Sequence, residues 1–309
     1  MVDLSVKIKN YKFKNPVMTG SGTYGYGDEF EELYDPSLLG AVLSKGLTMR
    51  ERGGNPPPRI HETPAGILNS IGLANMGIDR FVNDKCFNLA KKNIDVIANI
   101  SGKSIDEFGK MAEKCNKTDA IKAVEVNVSC PNVKEGGMAF GVDTENIYKI
   151  TSLVKNTTDK PVIVKLSPNV TDITEMAQAA VEGKADALTL INTLLGMAID
   201  IKKEKPVMYN KVAGLSGPAI KPVGLRMVYQ VKEKFPDIKI IGSGGISCWQ
   251  DAVEYFMAGA SAVQIGTALF NDPMLPVNII EDLRNYLMKK NVEKIDEIIG
   301  IAIKKEECK

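Results

Sequence analysis

A cysteine between polar residues stands at the predicted end of a β-strand, in the hexapeptide NVSCPN at residues 127–132. The apolar run at residues 123–126 predicts the strand, and Pro131 ends it because proline cannot donate a hydrogen bond to a sheet ladder. A thiol in the loop beyond a strand could act as an acid, a base or a nucleophile. The alternative is a small buried hydrophobe, which is how most free cysteines behave. Cys130 is therefore the first candidate catalytic residue.

Two lysines and a set of carboxamides stand at or near the ends of other predicted elements. Lys45 and Lys165 each end a buried-looking strand, and two cations at one rim would favour an anionic ligand or a developing negative charge. The carboxamides offer both donors and an acceptor, which suits a small heterocycle with alternating N–H and C=O groups. They are Asn69, Asn127, Asn132 and Asn192. Taken singly, a terminal lysine usually reaches solvent and a terminal asparagine is usually a turn residue.

Glycines follow the last two predicted strands. Gly244 and Gly245 precede a helix predicted to start near Ser247, and Gly266 and Thr267 precede a short helical turn. Glycines let backbone amides approach an anion, and a helix N-terminus adds a favourable dipole. Barrels often bind phosphate after strands seven and eight. The two loops together predict a phosphate site, with ordinary tight turns as the alternative.

The string GSGTYG at residues 20–25 matches the dinucleotide-binding fingerprint by its letters. A true fingerprint opens a helix directly and is followed by an acidic residue at the end of the next strand. Here Tyr26 and Gly27 prolong the loop, and the next predicted strand ends at Lys45. We therefore do not expect this chain to bind a nicotinamide cofactor.

These candidate residues follow apolar runs that predict eight β-strands. The runs are at residues 17–19, 41–44, 96–99, 123–127, 162–165, 187–191, 238–241 and 262–265. Helical stretches alternate with them, which indicates a parallel sheet covered by helices. Eight such units in 309 residues favour an α/β fold of the closed (β/α)8 type, a TIM barrel, with a doubly wound open sheet as the alternative. In such a barrel, the polar strand ends meet at one rim and build the active site.

Two stretches interrupt the alternation of strands and helices. One is rich in glycine and proline and covers residues 48–75, and the other covers residues 194–218, between the sixth strand and its helix. We expect both to be insertions at the C-terminal rim of the strands. Because no linker divides the sequence, residues 1–309 are expected to form a single domain.

Composition limits the classes of protein that fit this chain. A net charge of +1 gives no strong electrostatic case for binding nucleic acid or a membrane surface, and the apolar fraction of 44% is ordinary for a globular protein. No apolar run is long enough to span a bilayer and the N-terminus lacks a signal-peptide core, so the cytoplasm is the expected location. The five cysteines include no CxxC pair and the only histidine is His61, so no iron–sulfur cluster or metal site is expected.

Four motifs in chain order together resemble class 1 dihydroorotate dehydrogenase, over nearly the whole chain. They are LNSIGL at residues 68–73, NVSCPN at 127–132, GLSGP at 214–218 and GSGGI at 242–246. The stretch RIHETPAG at residues 59–66 is more similar to the NAD-dependent class 1B catalytic subunit than to the fumarate-dependent class 1A enzyme. The resemblance implies an FMN-binding (β/α)8 barrel that oxidises dihydroorotate to orotate in pyrimidine biosynthesis.

The resemblance also implies roles for individual residues. Cys130 would be the base that removes a proton from the ring carbon beside the carboxylate-bearing carbon, and the latter carbon would pass a hydride to the flavin. Orotate would be held by Lys45, Asn69, Ser70, Ile71, Gly72, Leu73, Asn127, Asn132, Asn192 and Thr193. FMN would contact Ser21, Lys45, Gly46, Asn99, Asn127, Lys165, Ile191 and Gly217, and its phosphate end Gly244, Gly245, Gly266 and Thr267.

Electrons would leave through another protein, because this chain has neither a cluster motif nor a nicotinamide-binding fold. The family implies a partner subunit with FAD and an iron–sulfur cluster on a homodimeric catalytic core, hence a heterotetramer. The glycine-rich residues 131–143 suggest a lid that closes over substrate. Three alternatives remain: a class 1A-type fumarate-dependent enzyme, a related flavin barrel acting on another dihydropyrimidine, and a scaffold that binds a phosphorylated ligand.

Overall fold

The fold is that of a computed structural model, which describes residues 2–128 and 140–306. The strands are β1 (Val6–Ile8), β2 (Tyr11–Phe13), β3 (Val17–Thr19), β4 (Val42–Leu43), β5 (Ile60–Thr63), β6 (Gly66–Asn69), β7 (Val96–Ile100), β8 (Ile121–Asn127), β9 (Val162–Lys165), β10 (Ala187–Leu190), β11 (Leu194–Gly196), β12 (Ile199–Asp200), β13 (Lys205–Pro206), β14 (Ala213–Ser216), β15 (Lys239–Ser243) and β16 (Ala262–Ile265). The helices are α1 (Ile78–Arg80), α2 (Cys86–Lys91), α3 (Ile105–Cys115), α4 (Thr144–Thr157), α5 (Ile173–Glu182), α6 (Lys221–Lys234), α7 (Trp249–Met257), α8 (Leu275–Lys289) and α9 (Ile301–Glu306).

Eight of these strands form one parallel sheet that curls into a barrel. Their order is β3-β16-β15-β10-β9-β8-β7-β4. A parallel bridge between Met18 and Ala41 joins the two end strands, and the Thr19 amide donates to the Ala41 carbonyl at 3.3 Å. Each of the eight predicted strands is present, with its ends shifted by no more than two residues. The prediction of a (β/α)8 barrel is confirmed, and the open doubly wound sheet is wrong.

The bottom of the barrel is filled by hydrocarbon. The hairpin of β1 and β2 contributes Val6, Ile8 and Phe13 to a buried cluster that also takes a side chain from every barrel strand or its edge. The barrel members are Met18, Ala41, Leu43, Ile97, Ala123, Ile163, Ala187, Ile241 and Ala262. Because successive residues of a strand point to opposite faces, the next inward position on each strand lies two residues further along, nearer the C-terminal rim. The layer above this floor is polar and contains Asn99, Glu125 and Gln264.

The helices bury one face against the barrel. In α3, the buried Phe108, Met111, Ala112 and Cys115 recur every three or four residues, as expected of an amphipathic helix. The Ser104 side chain accepts from the Glu107 amide and caps the helix. Among the helices of residues 2–128 and 140–306, none combines the length and the apolar character needed to cross a bilayer.

The two predicted insertions meet above the C-terminal rim. Strands β5 and β6 come from the first insertion, and β11 and β14 come from the second. Together they form one antiparallel sheet in the order β11-β14-β6-β5. The pairing of β6 with β14 therefore ties the two insertions into a single roof over the barrel, which the sequence did not indicate.

Candidate active site

A cavity of about 1020 Å³ lies between the C-terminal ends of the barrel strands and the insertion sheet. It is large for a small-molecule site, since such pockets usually enclose about 300–1,000 Å³. Most of the predicted site residues line it: Ser21, Lys45, Gly46, Asn69, Ser70, Ile71, Gly72, Leu73, Asn127, Lys165, Ile191, Asn192, Thr193, Gly217, Gly244, Gly245, Gly266 and Thr267. The structure thus brings together residues from both insertions and from several strand ends.

Of the predicted site residues that the structure describes, only Asn99 does not line this cavity. Cys130 and Asn132 lie outside the described residues, as do residues 131–139 of the predicted lid. Asn99 is fully buried beneath the cavity wall, and its Oδ1 accepts a hydrogen bond from Asn127 Nδ2 at 3.5 Å. Asn99 therefore lies one side chain away from the cavity.

The two lysines approach the cavity differently. Lys165 ends β9 and is only 6% exposed, and its Nζ lies 3.4 Å from Gln264 Oε1. Lys45 is partly buried, and its Nζ lies 5.8 Å from the centre of the Tyr26 ring. Two cations in one cavity favour an anion there, because their charges are only partly screened by solvent.

The carboxamides are held by defined partners. Asn69 Nδ2 donates to the Gly214 carbonyl at 3.2 Å, across the two insertions. Asn192 Nδ2 donates to Asn127 Oδ1 at 3.4 Å, and Asn192 Oδ1 accepts from the Thr193 amide at 2.8 Å. These side chains stand on two sides of the cavity, so they can address a planar ring between them.

The two glycine loops that line the cavity differ in their surroundings. Gly245 has a φ of +70°, and a Cβ there would lie 2.7 Å from the Lys221 backbone nitrogen. At Gly266 a Cβ would meet no atom closer than 4.0 Å, so the backbone is open to the cavity. Helix α7 begins at Trp249 with Cys248 as its N-cap, two residues later than the predicted start near Ser247.

The carboxylate of Asp251 holds the loop before α7 through hydrogen bonds. Asp251 Oδ2 accepts from both the amide and the Oγ of Ser247 at 2.8 Å, and Asp251 Oδ1 accepts from Lys221 Nζ at 2.7 Å. Burial alone would raise the pKa of Asp251, but the hydrogen bonds from Lys221 and Ser247 outweigh it and hold the pKa below its usual value of 3.8. The glycine loop is thus anchored from outside the cavity.

A buried polar layer supports the cavity floor, and sequence reasoning missed its centre. Glu125 is fully buried in β8, two residues before Asn127 on the same face of the strand. Its carboxylate accepts from Asn99, Thr189 and Gln264. The signal in the sequence was one acidic residue flanked by valines inside a buried strand.

The cavity fits a phosphorylated heterocyclic cofactor together with a small anionic ring. Glycine loops suited to a phosphate line it, and so do two cations and the carboxamides. The fold and the cavity together define a class: a (β/α)8-barrel enzyme with its active site at the carboxyl ends of the strands.

The chain belongs to the dihydroorotate dehydrogenase family, whose pattern matches residues 3–287. It is 51% identical to the catalytic subunit of dihydroorotate dehydrogenase B (NAD(+)) of Geotalea uraniireducens, over 97% of this chain and 98% of that protein. A Thermoanaerobacter sp. relative with the same description is also 51% identical, over 97% and 98%. A relative from Aquifex aeolicus, provisionally named dihydroorotate dehydrogenase A (fumarate), is 50% identical over 97% of this chain and 99% of its own.

Proposed function

We propose that this chain uses FMN to oxidise dihydroorotate to orotate in pyrimidine biosynthesis, and that a partner subunit passes the electrons to NAD. The observation that carries this proposal is the convergence of Lys45, Lys165, the carboxamides and the glycine loops on one cavity. In this proposal, residues 1–309 form one FMN-binding domain of a cytoplasmic enzyme.

FMN would be held with its phosphate at Gly244, Gly245, Gly266 and Thr267, which line the cavity. When bound, it supplies the acceptor for a hydride. Lys165 is nearly buried in the cavity wall, so its charge would act at high strength on negative charge that develops beside it. Gly46 packs close to Asn99 and to Leu73, where a Cβ would lie 2.8 Å from Leu73 Cδ2. A side chain at position 46 would therefore crowd the cavity wall.

The substrate ring would lie between the carboxamides. The amides of Asn69, Asn127 and Asn192 supply donors and acceptors for its N–H and C=O groups, and Lys45 supplies a cation for its carboxylate. Gly72 and Leu73 bring backbone to the same wall with φ values of +75° and +55°. This arrangement favours a small, anionic, hydrogen-bonding heterocycle over a bulky or apolar one.

Cys130 is proposed as the base that takes the proton. It lies outside the described residues, and the support for it is its place in the sequence, three residues after the cavity-lining Asn127. An ordinary cysteine has a pKa of about 8.5, so the step should speed up as the pH rises toward ionisation of the thiol. Cys130→Ala should slow substrate oxidation by a factor on the order of 10²–10⁴, the usual worth of a positioned acid–base group.

The test is an absorbance spectrum of the purified chain, before and after anaerobic addition of dihydroorotate. We expect a flavin spectrum that bleaches with dihydroorotate and not with dihydrouracil, and that bleaches far more slowly in Cys130→Ala. A colourless protein, or one that bleaches only with dihydrouracil, would overturn the proposal. Colourless protein would favour a scaffold, and bleaching by dihydrouracil would favour an enzyme for another dihydropyrimidine.

The partner proposal rests on the description "catalytic subunit" that the similar proteins carry. We infer a homodimeric catalytic core bound to a subunit with FAD and an iron–sulfur cluster, as a heterotetramer. The Aquifex aeolicus relative makes fumarate the second candidate acceptor. Reoxidation of the reduced chain by fumarate alone would favour that reading, and reoxidation by NAD only with the co-expressed partner would favour ours.

A further inference from the structure

Glu125 is a carboxylate with no exposed surface, set among the inward-facing side chains of the barrel. Three side chains donate hydrogen bonds to it. Asn99 Nδ2 donates to Oε1 at 2.6 Å, and Thr189 Oγ1 and Gln264 Nε2 donate to Oε2 at 2.7 and 2.6 Å. Three donors at these distances match the acceptor-only carboxylate form. Glu125 is therefore a fixed acceptor beneath the cavity floor.

A chain of three amides leads from Glu125 to the cavity wall. Asn99 Oδ1 accepts from Asn127 Nδ2 at 3.5 Å, and Asn127 Oδ1 accepts from Asn192 Nδ2 at 3.4 Å. The far end is fixed as well, because Asn192 Oδ1 accepts from the Thr193 backbone amide at 2.8 Å. A backbone N–H can only donate and a carboxylate can only accept. Both ends therefore impose the same direction on every amide between them.

The same carboxylate sets the orientation of a second side chain. Gln264 gives its Nε2 to Glu125, so its Oε1 is turned toward Lys165 Nζ, 3.4 Å away. Thus Glu125 turns one amide oxygen toward the buried lysine and, together with the Thr193 amide, sets which atoms of Asn127 and Asn192 face the cavity. Reversing one amide in a buried network costs free energy, because it leaves a donor or an acceptor without a hydrogen-bond partner.

We propose that Glu125 is a positioning residue that fixes the donor and acceptor pattern which Asn127 and Asn192 present to the substrate ring. It touches neither substrate nor cofactor in this role. The inference rests on the proposed function, since it concerns how the dihydroorotate site discriminates its ring. It predicts that the charge of Glu125 matters for ligand affinity and not only for folding.

The test compares Glu125→Gln with Thr189→Val in the FMN-loaded protein. Glu125→Gln keeps the shape but replaces an acceptor with an N–H donor, so the amide chain loses the constraint at its buried end. Thr189→Val removes another donor to Glu125 that is not itself a member of the amide chain. We measure the orotate dissociation constant by the change in flavin absorbance and by calorimetry, and the thermal unfolding midpoint of each variant. Glu125→Gln should weaken orotate binding by about tenfold or more, and Thr189→Val by no more than about twofold. Both variants should lower the thermal unfolding midpoint by a similar amount.

A shortened carboxylate provides a second test that does not depend on the stability of Glu125→Gln. Glu125→Asp keeps an acceptor-only group on the same face of β8, so it should bind orotate more tightly than Glu125→Gln does. A folded Glu125→Asp that binds no more tightly than Glu125→Gln overturns the inference, as does wild-type affinity in Glu125→Gln or an equal loss in Thr189→Val.

The wild-type measurement separates this inference from the proposed function. Wild-type protein that neither bleaches with dihydroorotate nor binds orotate would overturn the proposed function, and the role of Glu125 in it. Wild-type protein that binds orotate, with Glu125→Gln binding equally well, would overturn only the role of Glu125.

Discussion

Asn69 and Gly214 lie directly opposite one another in the pairing of β6 with β14, although they are 145 residues apart in the chain. The Asn69 side chain adds a hydrogen bond to the Gly214 carbonyl at 3.2 Å. Asn69, which we propose binds the substrate, therefore also links the two insertions. Whatever disturbs this pairing should change the roof of the cavity while leaving the barrel below it in place.

The first prediction concerns Gly66, which starts β6. A Cβ at Gly66 would lie 2.0 Å from the Ser216 carbonyl oxygen, which is backbone and cannot turn aside. Gly66→Ala should push β6 away from β14, lower the free energy of unfolding by about 1–3 kcal/mol and weaken orotate binding. Urea unfolding and orotate titration measure the two effects.

The matched control for this variant is Gly53→Ala. Gly53 lies in the same insertion, and a Cβ there would meet no atom within 4 Å. This substitution should leave both the stability and the orotate affinity near those of the wild type. If Gly66→Ala behaves as Gly53→Ala does, the roof is not held by the β6–β14 pairing.

The second prediction separates the two glycine loops. A Cβ at Gly245 would collide with the Lys221 backbone, so Gly245→Ala should lower the thermal unfolding midpoint. A Cβ at Gly266 meets no close protein atom but lines the cavity, so Gly266→Ala should keep the wild-type midpoint without FMN and retain FMN about tenfold more weakly. Flavin content after dialysis and a thermal scan of FMN-free protein are the measurements. Full FMN retention by Gly266→Ala would mean that the phosphate lies elsewhere.

The barrel could be predicted from the sequence because its strands are buried on both faces. Parallel strands of this kind appear as short apolar runs, and each of the eight runs became a barrel strand. The insertion sheet could not be predicted in the same way. Strands β11 and β14 have only three and four residues of mixed burial, and β14 pairs with a strand far away in the sequence. No periodicity in a short, half-exposed segment specifies such a distant partner.

The cavity wall was also more predictable than the layer below it. Lys165 and Asn127 end their strands, and strand ends of a barrel share one rim, so their convergence followed from topology. Glu125 stands inside its strand, where an isolated acidic residue has no assigned partner until the strand order is known. Its contacts come from β7, β10 and β16, which only the closed barrel brings together. The supposed helix start at Ser247 was misplaced because Ser247 bonds to the Asp251 side chain instead.

The third prediction concerns the charge of Lys165. If this nearly buried cation stabilises the reduced flavin, Lys165→Gln should lower the midpoint potential of the bound cofactor. A hydrogen bond to a charged group contributes about 1.5–3 kcal/mol, which for two electrons corresponds to about 30–60 mV. Redox titration against a reference dye measures the shift. Lys232→Gln removes a lysine that bonds to the Ile238 carbonyl outside the cavity, and it should leave the potential unchanged.

The fourth prediction concerns acid stability and Asp251. Its pKa is held below the usual value of 3.8 in the folded protein, because the hydrogen bonds from Lys221 and Ser247 outweigh the effect of burial. A carboxyl with a depressed folded pKa stabilises the fold above its unfolded pKa, and this contribution disappears as the pH falls through the folded pKa. Asp251→Asn should therefore lower stability by about 1–3 kcal/mol at pH 7 and by much less at the lowest pH that the wild type tolerates.

Urea midpoints between pH 7 and pH 3 measure this difference. The control is Asp106→Asn, which removes an exposed carboxylate paired with Lys110 within one helix. Such exposed pairs contribute only about 0.3–0.5 kcal/mol, so its stability curve should follow that of the wild type closely. A loss in Asp251→Asn that is the same at every pH would contradict an ionised Asp251.

The hydrocarbon floor closes the barrel on the side opposite the insertion sheet. Val6, Ile8 and Phe13 fill that end, so a ring that enters past the insertions cannot leave through the floor. Reactant and product would then use the same cavity. Bound orotate would exclude dihydroorotate, so the product is expected to compete with the substrate.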